Sequence, residues 1–166
     1  MTHEQLSADV AAYRSTVYRL AFGCTGNRFD ADDVAQEVFI RLYKYKKTFN
    51  DEEHKKALLL RVTVNLCKNL QKSAWLRKRT ELDENIPADD CFRESENILG
   101  DYILMLKPNY RAIIYLYYYE GYSVSEIAEL LNISISAVTT RLNRARNRIK
   151  AQLIDEKEVL CNESIQ

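Results

Sequence analysis

The sequence predicts an all-α protein: two small helical domains, the C-terminal one a helix-turn-helix, joined by a flexible linker. Three observations carry that expectation. Only 4 Gly and 2 Pro occur in 166 residues, too few for the turns of a sheet protein. Leu, Ile, Ala, Glu, Lys and Arg recur at steps of three and four, the spacing of a helix face. That periodicity fades between Arg77 and Glu96, where Asp83, Glu84, Pro87, Asp89 and Asp90 give an acidic stretch with too little apolar surface to fold alone. The expected division is a first domain over 1–76, a linker over 77–96 and a second domain over 97–166. A hydrophobic content of 46% is enough for two small cores.

In the first domain, Leu6, Val10, Tyr13, Val17 and Leu20 form an apolar stripe that ends near Gly23 and Gly26. A second helix is expected to open at Asp30 as its cap, with Asp32 and Asp33 near the positive end of its dipole and Val34, Val38 and Leu42 on its buried side. A third, roughly Glu53 to Ser73, places Leu59, Val62, Leu66 and Leu70 on one face and Arg61, Asn65, Lys68 and Lys72 nearly opposite. That basic face taken alone reads as an ordinary solvated helix side. Tyr43, Tyr45 and Trp75 either stack on unpaired bases or belong to the core.

In the second domain, periodicity returns at Ile98, Leu99, Tyr102, Ile103 and Leu106, and Pro108 suits the first turn of a helix that Gly121 stops. The tyrosines at 115, 117, 118 and 119 cannot all face one way, which predicts packing with some rings exposed. Ser123-x-x-Glu126 has the spacing of a capping box and opens a short helix ending at Asn132, a residue that tolerates the left-handed turn. Ser134 then caps a long helix with Val138, Leu142, Ala145 and Ile149 inward and Arg141, Arg144 and Arg148 on another side.

Two helices about a tight turn form a helix-turn-helix, whose second helix enters the major groove with its first residues at base edges. Ser136, Thr139, Thr140 and Asn143 are the candidates for base contact. No acidic residue lies between Leu130 and Ile154, while Arg141, Arg144, Arg146, Arg148 and Lys150 are basic, so the local field suits a DNA backbone. The whole chain nevertheless balances 24 Lys+Arg against 24 Asp+Glu. Phosphate neutralisation supplies most non-specific affinity, so either DNA is not the ligand or a partner helps.

Other classes find little support. No run of about 18 apolar residues exists and Met1 to Val10 lacks the order of a secretory signal, which predicts a cytosolic protein without direct membrane insertion. Cys24, Cys67, Cys91 and Cys161 are scattered and His3 and His54 are the two histidines, so neither zinc nor disulfides are expected. No nucleophile-base trio, phosphate-cradling loop or metal-ligand set is visible, so the chain is expected to be no enzyme and to need no cofactor or metal.

The run Asp30-Ala-Asp-Asp-Val-Ala-Gln-Glu-Val-Phe-Ile-Arg-Leu-Tyr43 resembles the polymerase-binding helix of extracytoplasmic-function (ECF) sigma factors, the smallest members of the sigma-70 family. The segment Leu58-Leu-Leu-Arg-Val-Thr-Val-Asn65 to Lys72 resembles the family helix that captures and opens the minus-ten element. Pro108-x-x-Arg111, Gly121-Tyr-Ser123, Glu126-Ile-Ala128 and Val138-Thr-Thr-Arg-Leu-x-Arg-Ala-Arg146 resemble its minus-thirty-five reader. The resemblance implies an initiation factor that binds core RNA polymerase and directs promoter recognition. It assigns polymerase contact to Asp32, Asp33, Gln36, Glu37 and Arg41, with the β′ clamp helices and the β flap as docking partners. It assigns minus-ten DNA to Arg61, Asn65, Lys68, Asn69 and Lys72, and minus-thirty-five DNA to Ser136, Thr139, Thr140, Arg141, Asn143, Arg144 and Arg146. It also implies an anti-sigma factor as partner. The chain departs from the usual family pattern at Leu58, Asn69, Lys72, Lys107 and Asn132, and in the run from Ser136 to Thr139. A dimeric helix-turn-helix regulator, an adaptor with a basic helix and, more remotely, a nucleic-acid hydrolase are the competing expectations.

Overall fold

The computed structural model describes the backbone of residues 2–46, 48–78 and 99–163, and the side chains of these apart from 74–78, 99–101 and 156–163. Those residues form helices and connecting turns, without a strand among them. The chain divides into two compact units, Met1–Cys91 and Phe92–Gln166. Of the expected linker, Arg77 and Lys78 still belong to a helix, and 79–96 lie outside the described residues, as does the Trp75 side chain.

In the first unit, α1 (His3–Thr25), α2 (Arg28–Lys44) and α3 (Glu52–Lys78) pack pairwise on one another. A capping box between Thr2 and Gln5 opens α1. Val17, Leu20, Ala21 and Phe22 are fully buried, while Leu6, Val10 and Tyr13 are half-buried. Gly23 is buried inside the helix, and the stop falls at Gly26, whose φ of 69° is the left-handed geometry that glycine adopts without a Cβ clash.

The expected cap of α2 at Asp30 is corrected by the structure. Asn27 is extended (φ −135°, ψ 128°) and its Oδ1 accepts from the N–H groups of Phe29 (2.8 Å) and Asp30 (3.5 Å). The left-handed turn at Gly26 lets the next helix start at once, and Asn caps as well as Asp. Asp30 sits instead in the first turn, beside the positive helix end. Val34, Val38 and Leu42 are buried as expected.

The inward face of α3 is also corrected. Leu59, Leu60, Thr63, Val64 and Cys67 are buried, whereas Val62, Leu66 and Leu70 are half-buried. Thr63 satisfies its hydroxyl by donating to the Leu59 carbonyl at 2.7 Å, so a polar residue occupies the core stripe without a stranded hydrogen bond. Cys67 meets Cys24 of α1, a second buried thiol. The hydrogen bond between them, together with burial, pushes the Cys67 thiol up.

In the second unit, α7 (Ile135–Glu163) packs against α4 (Leu99–Leu104), α5 (Pro108–Ile114) and α6 (Val124–Leu131). Pro108 opens α5, where its missing N–H costs nothing. The helix continues through one wide turn, Tyr115–Tyr119, in which the N–H of Glu120 reaches back to the Tyr115 carbonyl (3.2 Å). Gly121 follows with φ 74°. Tyr115 is buried, Tyr117 half-buried, and Tyr118 and Tyr119 are exposed, matching the expected mixed packing.

The capping box of α6 is present in full. Ser123 Oγ accepts from the Glu126 N–H (3.3 Å) and the Ser123 N–H donates to Glu126 Oε2 (2.7 Å). The Ser123 hydroxyl, which donates to Glu126 Oε2 (2.6 Å), and then the Ser123 N–H hold the Glu126 carboxyl below its ordinary range. Asn132 takes the left-handed turn at φ 52°, and Ser134 Oγ accepts from the Ala137 N–H (3.2 Å) at the start of α7. Ser123→Ala is expected to cost this unit about 1 kcal/mol, a fall of about 4–8 °C in its melting midpoint by circular dichroism. An unchanged midpoint would mean the cap does not support α6.

Candidate nucleic-acid interface

Three exposed helix faces hold the expected site residues. On α2, Asp33, Gln36 and Arg41 are exposed and Asp32 and Glu37 half-buried. The structure splits this set. Asp32 and Gln36 lie along an open groove of about 460 Å³ between α1 and α2, whose walls include Leu6, Val10, Tyr18, Phe39 and Tyr43. Glu37 lies on the far flank, paired with Arg41 one turn later (Nε to Oε1, 2.7 Å). Charge spacing alone showed one acidic surface. Folding against α1 converts half of it into a groove with apolar walls and a polar lip.

On α3, Arg61, Asn65, Lys68, Asn69 and Lys72 are all exposed. At 100° per residue they fall within an arc of roughly 100°, opposite the buried Leu59, Thr63 and Cys67. Three cations and two amides without an intervening carboxylate make a face suited to phosphate and base edges. Tyr45 is half-buried and stacks on Phe49 (ring centroids 5.1 Å) in the α2–α3 connection, and Tyr43 is 54% exposed. Sequence reasoning missed Phe49. Its only signal was an aromatic residue in a short polar connection.

On α7, Ser136, Thr139, Thr140, Asn143, Arg144 and Arg146 are exposed and Arg141 is half-buried, opposite the buried Val138, Leu142 and Ala145. Ile149, expected inward, is half-buried. The helical repeat distributes the basic residues over different strips. Arg141 and Arg148 flank one side, where the Arg148 guanidinium lies 5.2 Å from the Tyr110 ring centroid. Thr140 and Arg144 point away from the core. Thr139, Asn143 and Arg146 share the other flank, beside the tyrosines of the wide turn. The Thr139 hydroxyl donates to the Ile135 carbonyl (3.0 Å), leaving its methyl and lone pairs outward.

Among the described residues, no group of three or more His, Cys, Asp or Glu could hold a metal ion. No helix among them is long and apolar enough to cross a membrane.

A short capped helix, a left-handed Asn turn and a basic second helix define a helix-turn-helix transcription protein. Residues 10–80 match the family Sigma-70 region 2, and residues 96–149 match Sigma-70, region 4. The ECF RNA polymerase sigma factor SigW of Bacillus subtilis is 30% identical over 163 residues, covering 88% of this chain and 87% of SigW. The ECF RNA polymerase sigma factor SigE of Mycolicibacterium smegmatis is 30% identical over 156 residues, covering 87% of this chain but 60% of SigE. Two solved structures share the fold. One is the sigma factor RpoE in complex with the anti-sigma factor NepR from Bartonella quintana (TM-score 0.70, 18% identity, 90% of this chain and 97% of that one). The other is CnrH in complex with the cytosolic domain of CnrY (TM-score 0.65, 23% identity, 93% and 90%). The chain belongs to the ECF subfamily of sigma-70 factors, which bind core RNA polymerase and direct promoter recognition at transcription initiation.

Proposed function

We propose that promoter recognition is divided between the two units, with the first, assigned to 1–76, binding polymerase and opening the minus-ten element and the second, assigned to 97–166, reading the minus-thirty-five element. The observation that carries this is the α7 face. A helix-turn-helix presents Ser136, Thr139, Thr140, Asn143 and Arg144 outward in a stretch without a single carboxylate. Arg61, Asn65, Lys68, Asn69 and Lys72 then hold the unpaired strand, and Asp32, Asp33, Gln36, Glu37 and Arg41 dock on the β′ clamp helices, where acidic and amide groups suit a basic partner. The β flap receives the second unit. Balanced net charge fits this division. Each unit makes few phosphate contacts, and polymerase supplies the remaining binding by holding both on one promoter.

The factor works in the cytosol and carries out no covalent chemistry itself. An anti-sigma factor holds it inactive, a reading supported by the solved complex of the sigma factor RpoE with the anti-sigma factor NepR, whose fold this chain shares.

The test is run-off transcription on genomic promoter fragments with purified core polymerase. Starts that require both the chain and the core are expected. Arg144→Glu should lower their yield by at least tenfold, because one favourable phosphate or base contact becomes repulsion. Asp33→Lys should weaken core binding instead. Duplex binding without any core-dependent start would favour a dimeric regulator, and core binding unaffected by Asp33→Lys would remove that residue from the docking surface.

A further inference from the structure

The wide turn at the end of α5 aims a tyrosine at the recognition helix. Tyr118 Oη accepts a hydrogen bond from Arg146 Nε at 2.8 Å. The same guanidinium lies 5.6 Å from the Tyr117 ring centroid and 5.7 Å from that of Tyr118. Its Nη1 is 3.5 Å from Asn143 Oδ1, the weakest of these contacts. The bond to Tyr118 holds Arg146 still more firmly in its protonated form. Both side chains remain exposed, Tyr118 at 55%.

A regular helix advances 100° per residue, so the residues after Tyr115 depend on how that turn is wound. The i→i+5 turn at Tyr115–Tyr119 inserts extra backbone and shifts the later tyrosines around the axis. Stacking of Tyr115 on Tyr119 (5.4 Å) and the Tyr115 hydroxyl bond to Glu120 (2.9 Å) brace the turn. Wide turns of this kind are uncommon and cluster at functional sites. Here its product is a fixed arginine on the flank that also carries Thr139 and Asn143.

An exposed arginine loses considerable rotamer freedom on binding. Arg146 has surrendered much of that freedom already. With Nε occupied by a neutral oxygen and Nη1 held only by the long contact to Asn143, the terminal nitrogens keep N–H donors for a phosphate, which an arginine can grip bidentately. No carboxylate lies between Leu130 and Ile154 to neutralise it within α7. We propose that Tyr118 is a positioning residue that pre-orients Arg146 to clamp a phosphate of the DNA backbone at the edge of the minus-thirty-five contact. The proposal rests on the DNA-reading role of α7 proposed above.

The test measures binding of the full chain to a 20-base-pair duplex by fluorescence anisotropy over a salt series beginning at about 20 mM. Arg146→Gln should lower the slope of log K against log salt by about one, the signature of one lost phosphate contact. Tyr118→Phe keeps the ring and the charge but removes the acceptor, and should weaken binding roughly fivefold. It should add nothing in an Arg146→Gln background. Its melting midpoint should stay within a few degrees of wild type, separating positioning from folding. Independent, multiplicative effects of the two substitutions would overturn the proposal, as would a salt slope unmoved by Arg146→Gln. Should either occur while core-dependent run-off stays sensitive to Arg144→Glu, the clamp fails and the initiation reading stands. Absence of duplex binding by the wild-type chain even at 20 mM salt would overturn the clamp, and failure of run-off would then remove the promoter reading too.

Discussion

Phe22→Ala is expected to lower the unfolding free energy of the first unit by about 3–5 kcal/mol. Phe22 is fully buried near the end of α1, where that helix packs against both α2 and α3. Its ring stacks near Tyr18 (6.4 Å between centroids), and its carbonyl accepts the N–H of Gly26 at the helix stop (2.7 Å). Truncation removes the transfer free energy of an aromatic ring and leaves a void that three helices cannot all close. Natural domains keep only about 5–15 kcal/mol in reserve, so the unit should melt far below wild type. Urea denaturation followed by circular dichroism measures this. A loss under about 1 kcal/mol would mean the three-helix core is not organised around Phe22.

The second large effect concerns a polar cluster that the sequence reading did not find. Lys55 Nζ lies 2.8 Å from Asp9 Oδ1 and 2.9 Å from Glu52 Oε1, and Tyr13 donates its hydroxyl hydrogen to Glu52 Oε2 at 2.6 Å. The Lys55 and Asp9 side chains are only 14% and 12% exposed, so their pair is largely out of water. Lys55→Met should cost about 2–3 kcal/mol, because Asp9 is left without its partner in a site from which water is mostly excluded. Asp9→Asn added to Lys55→Met should recover part of that loss. Equal stability of the single and double variants would show that the pair's attraction is not what holds α1 to the start of α3.

The same cluster sets a pH dependence. Burial, followed by the bond to Glu52, pushes the Tyr13 phenol up from 10.0 to about 12. Hydrogen bonds to Asp9 and Glu52 raise the Lys55 ammonium above 10.5. Both folded values are raised, so both contributions are complete below the unfolded values and are lost as pH rises through the folded ones. Glu52 is lowered by its bonds from Tyr13 and Lys55, so its contribution is present above 4.5 and is lost in acid. The melting midpoint of the unit should therefore fall above pH 10, and less steeply in Tyr13→Phe. Identical alkaline slopes in the two proteins would show that the phenol does not take part.

Much of the fold was legible in the sequence where a single residue governs local geometry. The Ser123/Glu126 box, Pro108 at a helix start and the left-handed Asn132 each follow from a side chain acting on its own backbone neighbours. The cap of α2 was misplaced because Asn27 and Asp30 are equally good caps. The choice between them was made by Gly26, which ends α1 and leaves Asn27 extended. On α3 an apolar repeat pointed to Leu59, Val62, Leu66 and Leu70, whereas the helix buries Leu59, Leu60, Thr63, Val64 and Cys67. Alternative stripes lie only tens of degrees apart on a helix, and packing against α1 and α2 selects among them.

The sequence by itself determined the helical class, the turn that makes the helix-turn-helix and the exposure of the three site faces, because these depend on spacing within one helix or one turn. Tertiary structure decided which neighbours those faces have. It opened a groove along Asp32 and Gln36, joined Asp9 to a lysine 46 positions away and set Tyr118 against Arg146 across 28. Contacts between residues distant in the chain depend on how helices pack, a global property that no local pattern of spacing encodes.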